Sequence, residues 1–147
     1  MNDIQNLYQE LILDHSRSPK NFGELNDKTH HAHGNNPLCG DTIDVDVLIE
    51  DERILKITFR GDGCAIAKAS ASLMTESVKG HLVEKALVIF DRFHAMLVSE
   101  SDDLSELGKL SALKGVRQFP IRVKCATLCW HTLIAALRAE PSIATTE

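Results

Sequence analysis

Chemistry in this 147-residue chain is to be sought first at its four cysteines. Cys39 and Asp41 stand two apart in Asn36-Pro37-Leu38-Cys39-Gly40-Asp41. Cys64 closes Gly61-Asp62-Gly63-Cys64, and Cys125 closes Arg122-Val123-Lys124-Cys125. Three thiolates and one carboxylate form a four-donor set of the kind zinc takes in tetrahedral sites. Such a site around Zn²⁺ carries a net charge of about −2, which a neighbouring cation should offset. Arg122, three residues before Cys125 on the same predicted helix, is placed to hold the Asp41 carboxylate behind the ligands; an ordinary surface arginine is the alternative. Spacing alone leaves other readings open. Cys-x-Asp is not a common zinc-finger pattern and no Cys-x-x-Cys pair is present, so three unconnected buried cysteines fit as well. Cys125 and Cys129 are also spaced as an i, i+4 helical pair, which would displace Asp41; we read Cys129 as a core residue.

Each thiol falls where the predicted backbone changes direction. Cys39 lies in a turn between Pro37 and Gly40, and Cys64 lies at the start of a helix, where unpaired N–H groups favour a thiolate. Cys125 sits in the first turns of the last helix, on the flank of its apolar stripe. The elements that must position them follow from periodicity. Ile4, Leu7, Tyr8, Leu11 and Ile12 mark a first helix, capped by Asp3 and ending near His15. Residues 24–34, with His30, His31 and His33, read as a solvated polar loop. Ile43, Val45, Val47 and Ile49 alternate with polar residues, as do Leu55, Ile57 and Phe59, so the two runs form an antiparallel hairpin turning at 50–53. Asp44 and Asp46 are expected to pair with Lys56 and Arg60 across its wet face. Helices are expected over 65–78, over 82–97 with Val83, Ala86, Leu87, Phe90, Phe93 and Leu97 inward, over a short 104–110, and from just after Pro120 to about Arg138. The tail 140–147 reads as frayed. The order predicts one α+β domain over 1–147, a small antiparallel β-sheet packed against several α-helices.

Composition bounds the function. A hydrophobic fraction of 44% and a charged fraction of 25% are ordinary for a globular protein, and the net charge of −5 argues against nucleic acid as the main partner. The N-terminus lacks the pattern of a secretory signal and no apolar run is long enough to span a bilayer, so the expected location is the cytoplasm, with no membrane partner. Thiols stay reduced there, which favours metal binding or thiol chemistry over disulfides.

The three cysteine motifs, with the extension Ala65-Ile66-Ala67-Lys68-Ala69-Ser70-Ala71-Ser72 after Cys64 and Ala126-Thr127-Leu128 after Cys125, resemble the NifU/IscU family, and its SufU branch most. Two features favour that branch: the segment between the helix ending near Leu97 and the last helix resembles the SufU insertion, and Lys124 stands where scaffold members carry a histidine ligand. The resemblance implies a SufE/NifU-like fold and zinc held by Cys39, Asp41, Cys64 and Cys125. It further implies that Cys39 accepts persulfide sulfur from a SufS-type, PLP-dependent cysteine desulfurase, with a partner ligand taking its place on the metal. The sulfur would pass on for iron–sulfur cluster assembly, with downstream SUF scaffold proteins as further partners. An iron–sulfur scaffold of the IscU type, or a purely structural zinc domain, are the alternatives. Cys129 departs from the family pattern, which usually has alanine there.

Overall fold

The computed structural model describes residues 3–99, 101–138 and 144–145. The element order is α1 (Asp3–Arg17), β1 (His30–Asn36), β2 (Asp41–Glu50), β3 (Arg53–Arg60), α2 (Ala65–Val78), α3 (Val83–Val98), a 3-10 helix (Gly108–Gln118), α4 (Pro120–Leu137) and β4 (Ala144–Thr145). The sheet order is β3-β2-β1-β4, with β1, β2 and β3 antiparallel and the two-residue β4 parallel to β1 at Gly34 and Asn35. This is the expected α+β architecture with an antiparallel sheet under several helices. The frayed tail was expected over 140–147; Ala144 and Thr145 instead pair with β1, and the remaining tail residues lie outside the described ones.

The hairpin forms as the alternation predicts, but a third strand lies where a solvated loop was expected. β1 buries Ala32, Gly34 and Asn36 and turns His31, His33 and Asn35 the other way. Its inward residues are small or polar, so no apolar alternation advertises the strand; pairing with β2 and packing under α4 create it. A Cβ on Gly34 would lie 2.0 Å from Thr132 Oγ1, so α4 approaches β1 too closely for any side chain there. The segment before β1 crosses the opposite face of the sheet. It bonds to the β3 edge through Gly23 N–H to Phe59 O (2.8 Å), reaches Asp46 through Leu25 N–H (3.1 Å), and joins β2 through Thr29 N–H to Val47 O (2.8 Å).

A register shift between Leu48 and Ile49 sets Ile49 opposite Ile54 and Leu48 opposite Lys56, so Leu55 is the extra residue of a bulge. Ile54 is therefore fully buried and Leu55 is exposed, a correction to the face that simple alternation assigns to Leu55. In the same way, Leu87 of α3 is exposed and Ile89 and Met96 join Ala86, Phe93 and Leu97 inside. The short helix expected over 104–110 is replaced by the 3-10 helix further along. α4 is more than a one-sided helix: residues from Cys125 to Ala136 are buried except His131, because it packs on β1, β2, α2 and α3 at once. Small residues Ala69, Ser70, Ala71 and Ser72 let α2 lie against it, and Ser70 Oγ donates to Ala126 O at 2.6 Å.

Two histidines, one buried and one half-buried, join helices. His15 of α1 has Nδ1 2.6 Å from Ser72 Oγ and Nε2 3.6 Å from Glu76 Oε1; burial pushes its pKa down, against the opposing pull of Glu76. His131 of α4 packs against the Phe90 and His94 rings, and burial, then the neighbouring His94, lowers its pKa as well.

Candidate metal centre

Cys39 and Asp41 flank the end of the β1–β2 turn, which Asn36 organises. The Asn36 carbonyl accepts the N–H groups of Cys39 (3.2 Å) and Gly40 (2.8 Å), and its side-chain Oδ1 accepts Leu38 N–H at 3.2 Å. Gly40 sits at φ 73, the left-handed conformation the turn requires. Asn36 is fully buried, and its Nδ2 also donates to Cys125 Sγ at 3.9 Å, so one side chain ties the turn to α4. Sequence reading gave Asn36 no role. The available signal was an Asn-Pro pair, a turn starter, just ahead of a cysteine.

The β3–α2 connection brings the second piece. Asp62 O accepts Thr42 N–H at 2.8 Å, which lays the connection beside the start of β2. Cys64 takes the N-cap position of α2 in extended conformation, with its N–H donating to Asp41 Oδ1 at 3.2 Å. Cys125, in the second turn of α4, donates its thiol to Cys39 Sγ at 3.4 Å. It is fully buried rather than on an open flank, but it faces the turn and lies outside the apolar cluster, which contains Cys129 instead. Cys129 lies 3.4 Å from Ser70 Oγ, and burial pushes its thiol up to about 12.

Among the described residues, the donor atoms of Cys39, Asp41 and Cys125 all lie within 4.8 Å of one another. The Cys64 thiol stands beside this triangle, within reach of Cys125 but not of all three donors. The residues fit a metal ion on two counts. Donor atoms around four-coordinate zinc lie about 3.3–3.8 Å apart, and the Cys39–Cys125 separation of 3.4 Å is of that size. Second, Asp41 Oδ2 is buried with no hydrogen-bond partner, a costly state for a carboxylate oxygen that a cation would relieve. Burial, then the hydrogen bond to Cys39 and the neighbouring Asp41 and Cys64 groups, raise the pKa of Cys125. The protein groups alone thus favour the neutral thiol, and ionisation falls to an added positive charge.

Arg122 differs from expectation. Its guanidinium faces the sulfurs of Cys125 and Cys64, which raise its own pKa through a hydrogen bond to Cys125 and the charge of Cys64. No Arg122–Asp41 pair forms, and Asp41 Oδ2 is left without a partner. Cys64, whose N–H holds Asp41 Oδ1, and Cys125 are the groups the arginine meets.

The NifU-like N terminal domain model matches residues 7–126. The zinc-dependent sulfurtransferase SufU of Bacillus subtilis is 42% identical over 132 residues, covering 89% of each chain. The iron–sulfur cluster assembly scaffold protein IscU of Streptococcus pyogenes is 38% identical over 139 residues, covering 94% of this chain and 87% of that protein. A crystal structure of a scaffold protein for the SUF system from Fervidobacterium islandicum superposes with a TM-score of 0.84 at 32% identity, over 90% of this chain and 98% of that one. With the fold, the extent of the match and the conjunction of three cysteine segments in agreement, the chain belongs to the NifU-like N-terminal domain family of iron–sulfur cluster assembly proteins.

Proposed function

We propose that the protein is a zinc-dependent sulfurtransferase that accepts persulfide sulfur from a SufS-type cysteine desulfurase in the cytoplasm. The observation that carries this reading is the partnerless Asp41 Oδ2 beside a buried and a half-exposed thiol. Cys39, Asp41, Cys64 and Cys125 would hold the ion, which supplies the positive charge that keeps the thiols ionised at neutral pH. Cys39 is the accepting sulfur because it is half-exposed on a turn, whereas Cys125 is fully buried. Its thiolate attacks the terminal sulfur of the donor's cysteine persulfide. The donor's S–S bond breaks, its cysteine leaves as thiolate, and a new S–S bond makes Cys39 the persulfide, with no net oxidation. Arg122 sits beside Cys64 and Cys125, where its charge offsets the excess negative charge of the thiolates.

The scaffold reading is favoured by the 38% identity to the Streptococcus protein, and it predicts an iron–sulfur cluster on the same thiols. Lys124 in place of a histidine ligand supports the sulfurtransferase. Both are tested by Cys39→Ala in a desulfurase assay with metal analysis. The sulfurtransferase predicts about one zinc per parent chain, no brown absorbance, and a folded variant without stimulation. A variant that stimulates as well as the parent excludes Cys39 as acceptor, and a cluster-loaded parent that hands its cluster to an apo-protein favours the scaffold.

A further inference from the structure

Alternation along β1 places His31 and His33 on the sheet face turned away from α4, opposite Asp46 and Asp44 of β2. Asp46 is fully buried. Its Oδ2 takes Arg60 Nη1 at 2.9 Å and Leu25 N–H at 3.1 Å, with Lys28 Nζ at 3.9 Å. Its Oδ1 accepts His31 Nδ1 at 2.6 Å. Burial alone would raise the pKa of this carboxyl, but the hydrogen bonds from His31, Leu25 and Arg60 outweigh it and hold the group ionised. With Nδ1 of His31 engaged by Asp46, Nε2 is the nitrogen left to face the rest of the patch.

That nitrogen faces a carboxylate. His31 Nε2 lies 3.4 Å from Asp44 Oδ1, and the same oxygen lies 3.1 Å from His33 Nδ1. Two imidazole nitrogens thus converge on one carboxylate oxygen, in side chains that are 38%, 37% and 28% exposed for His31, His33 and Asp44. A lone pair set against a carboxylate is unfavourable unless a proton or a cation lies between them. The nitrogen–oxygen separations are close to the roughly 3.3 Å edge of a tetrahedron around an ion with bonds of about 2.0–2.1 Å. The carboxylate–histidine arrangement of Asp46 and His31 is the one that orients a metal-binding imidazole.

We propose that His31 Nε2, His33 and Asp44 form a second site, for a first-row transition dication such as Zn²⁺, Ni²⁺ or Co²⁺, with Asp46 as the positioning residue for His31. Two imidazoles and one carboxylate select such ions over Mg²⁺ and Ca²⁺, which take oxygen donors. Site and ion together carry about one positive charge, since Arg60 already balances Asp46. The His nitrogens lie on different sides of the Asp44 oxygen, outside the mutual 4.8 Å reach that the thiol set satisfies, so His33 turns its half-exposed ring toward His31 on binding. The site shares a strand with the turn that carries Cys39 but uses none of its donors, and it stands whether or not sulfur transfer is the activity.

The test is titration of the zinc-loaded protein, cleared of excess metal, with Co²⁺ alone, followed by calorimetry and visible absorption. One further equivalent should bind with ligand-field bands and no thiolate-to-cobalt charge transfer, while the zinc stays in place. H31Q/H33Q should lose that equivalent and keep its zinc. Asp44→Asn, which keeps the shape of the patch, should weaken it at least about tenfold, as should Asp46→Asn. The proposal is overturned if the parent takes up no second equivalent, if cobalt appears only with thiolate charge transfer, or if H31Q/H33Q and Asp44→Asn bind it as the parent does.

Discussion

The backbone N–H of Cys64 donates to Asp41 Oδ1 at 3.2 Å, joining the first residue of β2 to the N-cap of α2. The other oxygen of the same carboxylate is buried without a partner. One atom of Asp41 therefore assembles the site and the other is left for what the site holds. Such a division gives substitutions at Asp41 opposite signs in the two forms of the protein.

Asp41→Ala should leave the metal-free protein about as stable as the parent, or slightly more so. It removes one half-exposed hydrogen bond, of about 1 kcal/mol, and with it an unsatisfied buried oxygen. In the presence of zinc, affinity should fall at least about tenfold, and the stabilisation that the metal gives should shrink with it. Paired denaturation curves with and without zinc measure both. Equal destabilisation in the two forms would mean that Asp41 serves packing alone.

Oxidising the metal-free protein with diamide should join Cys39 to Cys125, whose sulfurs are 3.4 Å apart although 86 residues separate them in the chain. Peptide mapping by mass spectrometry identifies the pair, and zinc loading should slow its formation by engaging both thiols. A product dominated by any other cysteine pair would show that Cys39 and Cys125 are not the nearest thiols.

Stability should fall as pH drops below neutrality. His15 and His131 are both held below the ordinary imidazole value of 6.5. The unfolded chain therefore binds protons that the folded chain refuses, and stability rises with pH through this range. The contribution is fully present above 6.5, the unfolded value, and is lost as pH falls toward the depressed folded values. Between about pH 7.5 and about pH 5.5 the loss should be on the order of 1 kcal/mol. Denaturant midpoints for the parent and His15→Gln, which cannot titrate, test this; an unchanged slope in the variant would remove His15 from the account.

Gly34→Ala should cost about 1–3 kcal/mol through overpacking, since the added carbon would meet Thr132 Oγ1 at 2.0 Å. Thr132→Ala in the same chain removes that oxygen and should restore part of the loss. A thermodynamic cycle over the two positions gives the coupling; simple additivity would place the strain elsewhere.

The elements legible in the sequence were those whose burial is one-sided and apolar. β2 alternates cleanly through Ile43, Val45 and Val47, and α2 declares itself by its small residues after Cys64. β1 could not be seen because its inward side is Ala32, Gly34 and Asn36, which hydrophobic periodicity does not detect, and its histidines imitate a loop. Leu55 was misplaced because a single extra residue at the bulge inverts the alternation beyond it. At the site, the thiols and Asp41 stood out by residue type and by the turns around them. Asn36 did not, since its importance lies in three backbone bonds and a contact with α4 that no local pattern announces. The Arg122 partner was misassigned because helical spacing fixes a side of the helix, not which neighbouring loop reaches that side first.

The close approach of Thr132 to Gly34 also bears on how the chain avoids mispairing while it folds. Sliding β1 by one position against β2 would drive His33 or Asn35 into a space with room only for hydrogen. The same slip would swing Asn36 out to solvent and strip the turn of its anchor. An out-of-step hairpin is thus rejected at two places at once, and a strand with little greasy character of its own still finds a unique alignment.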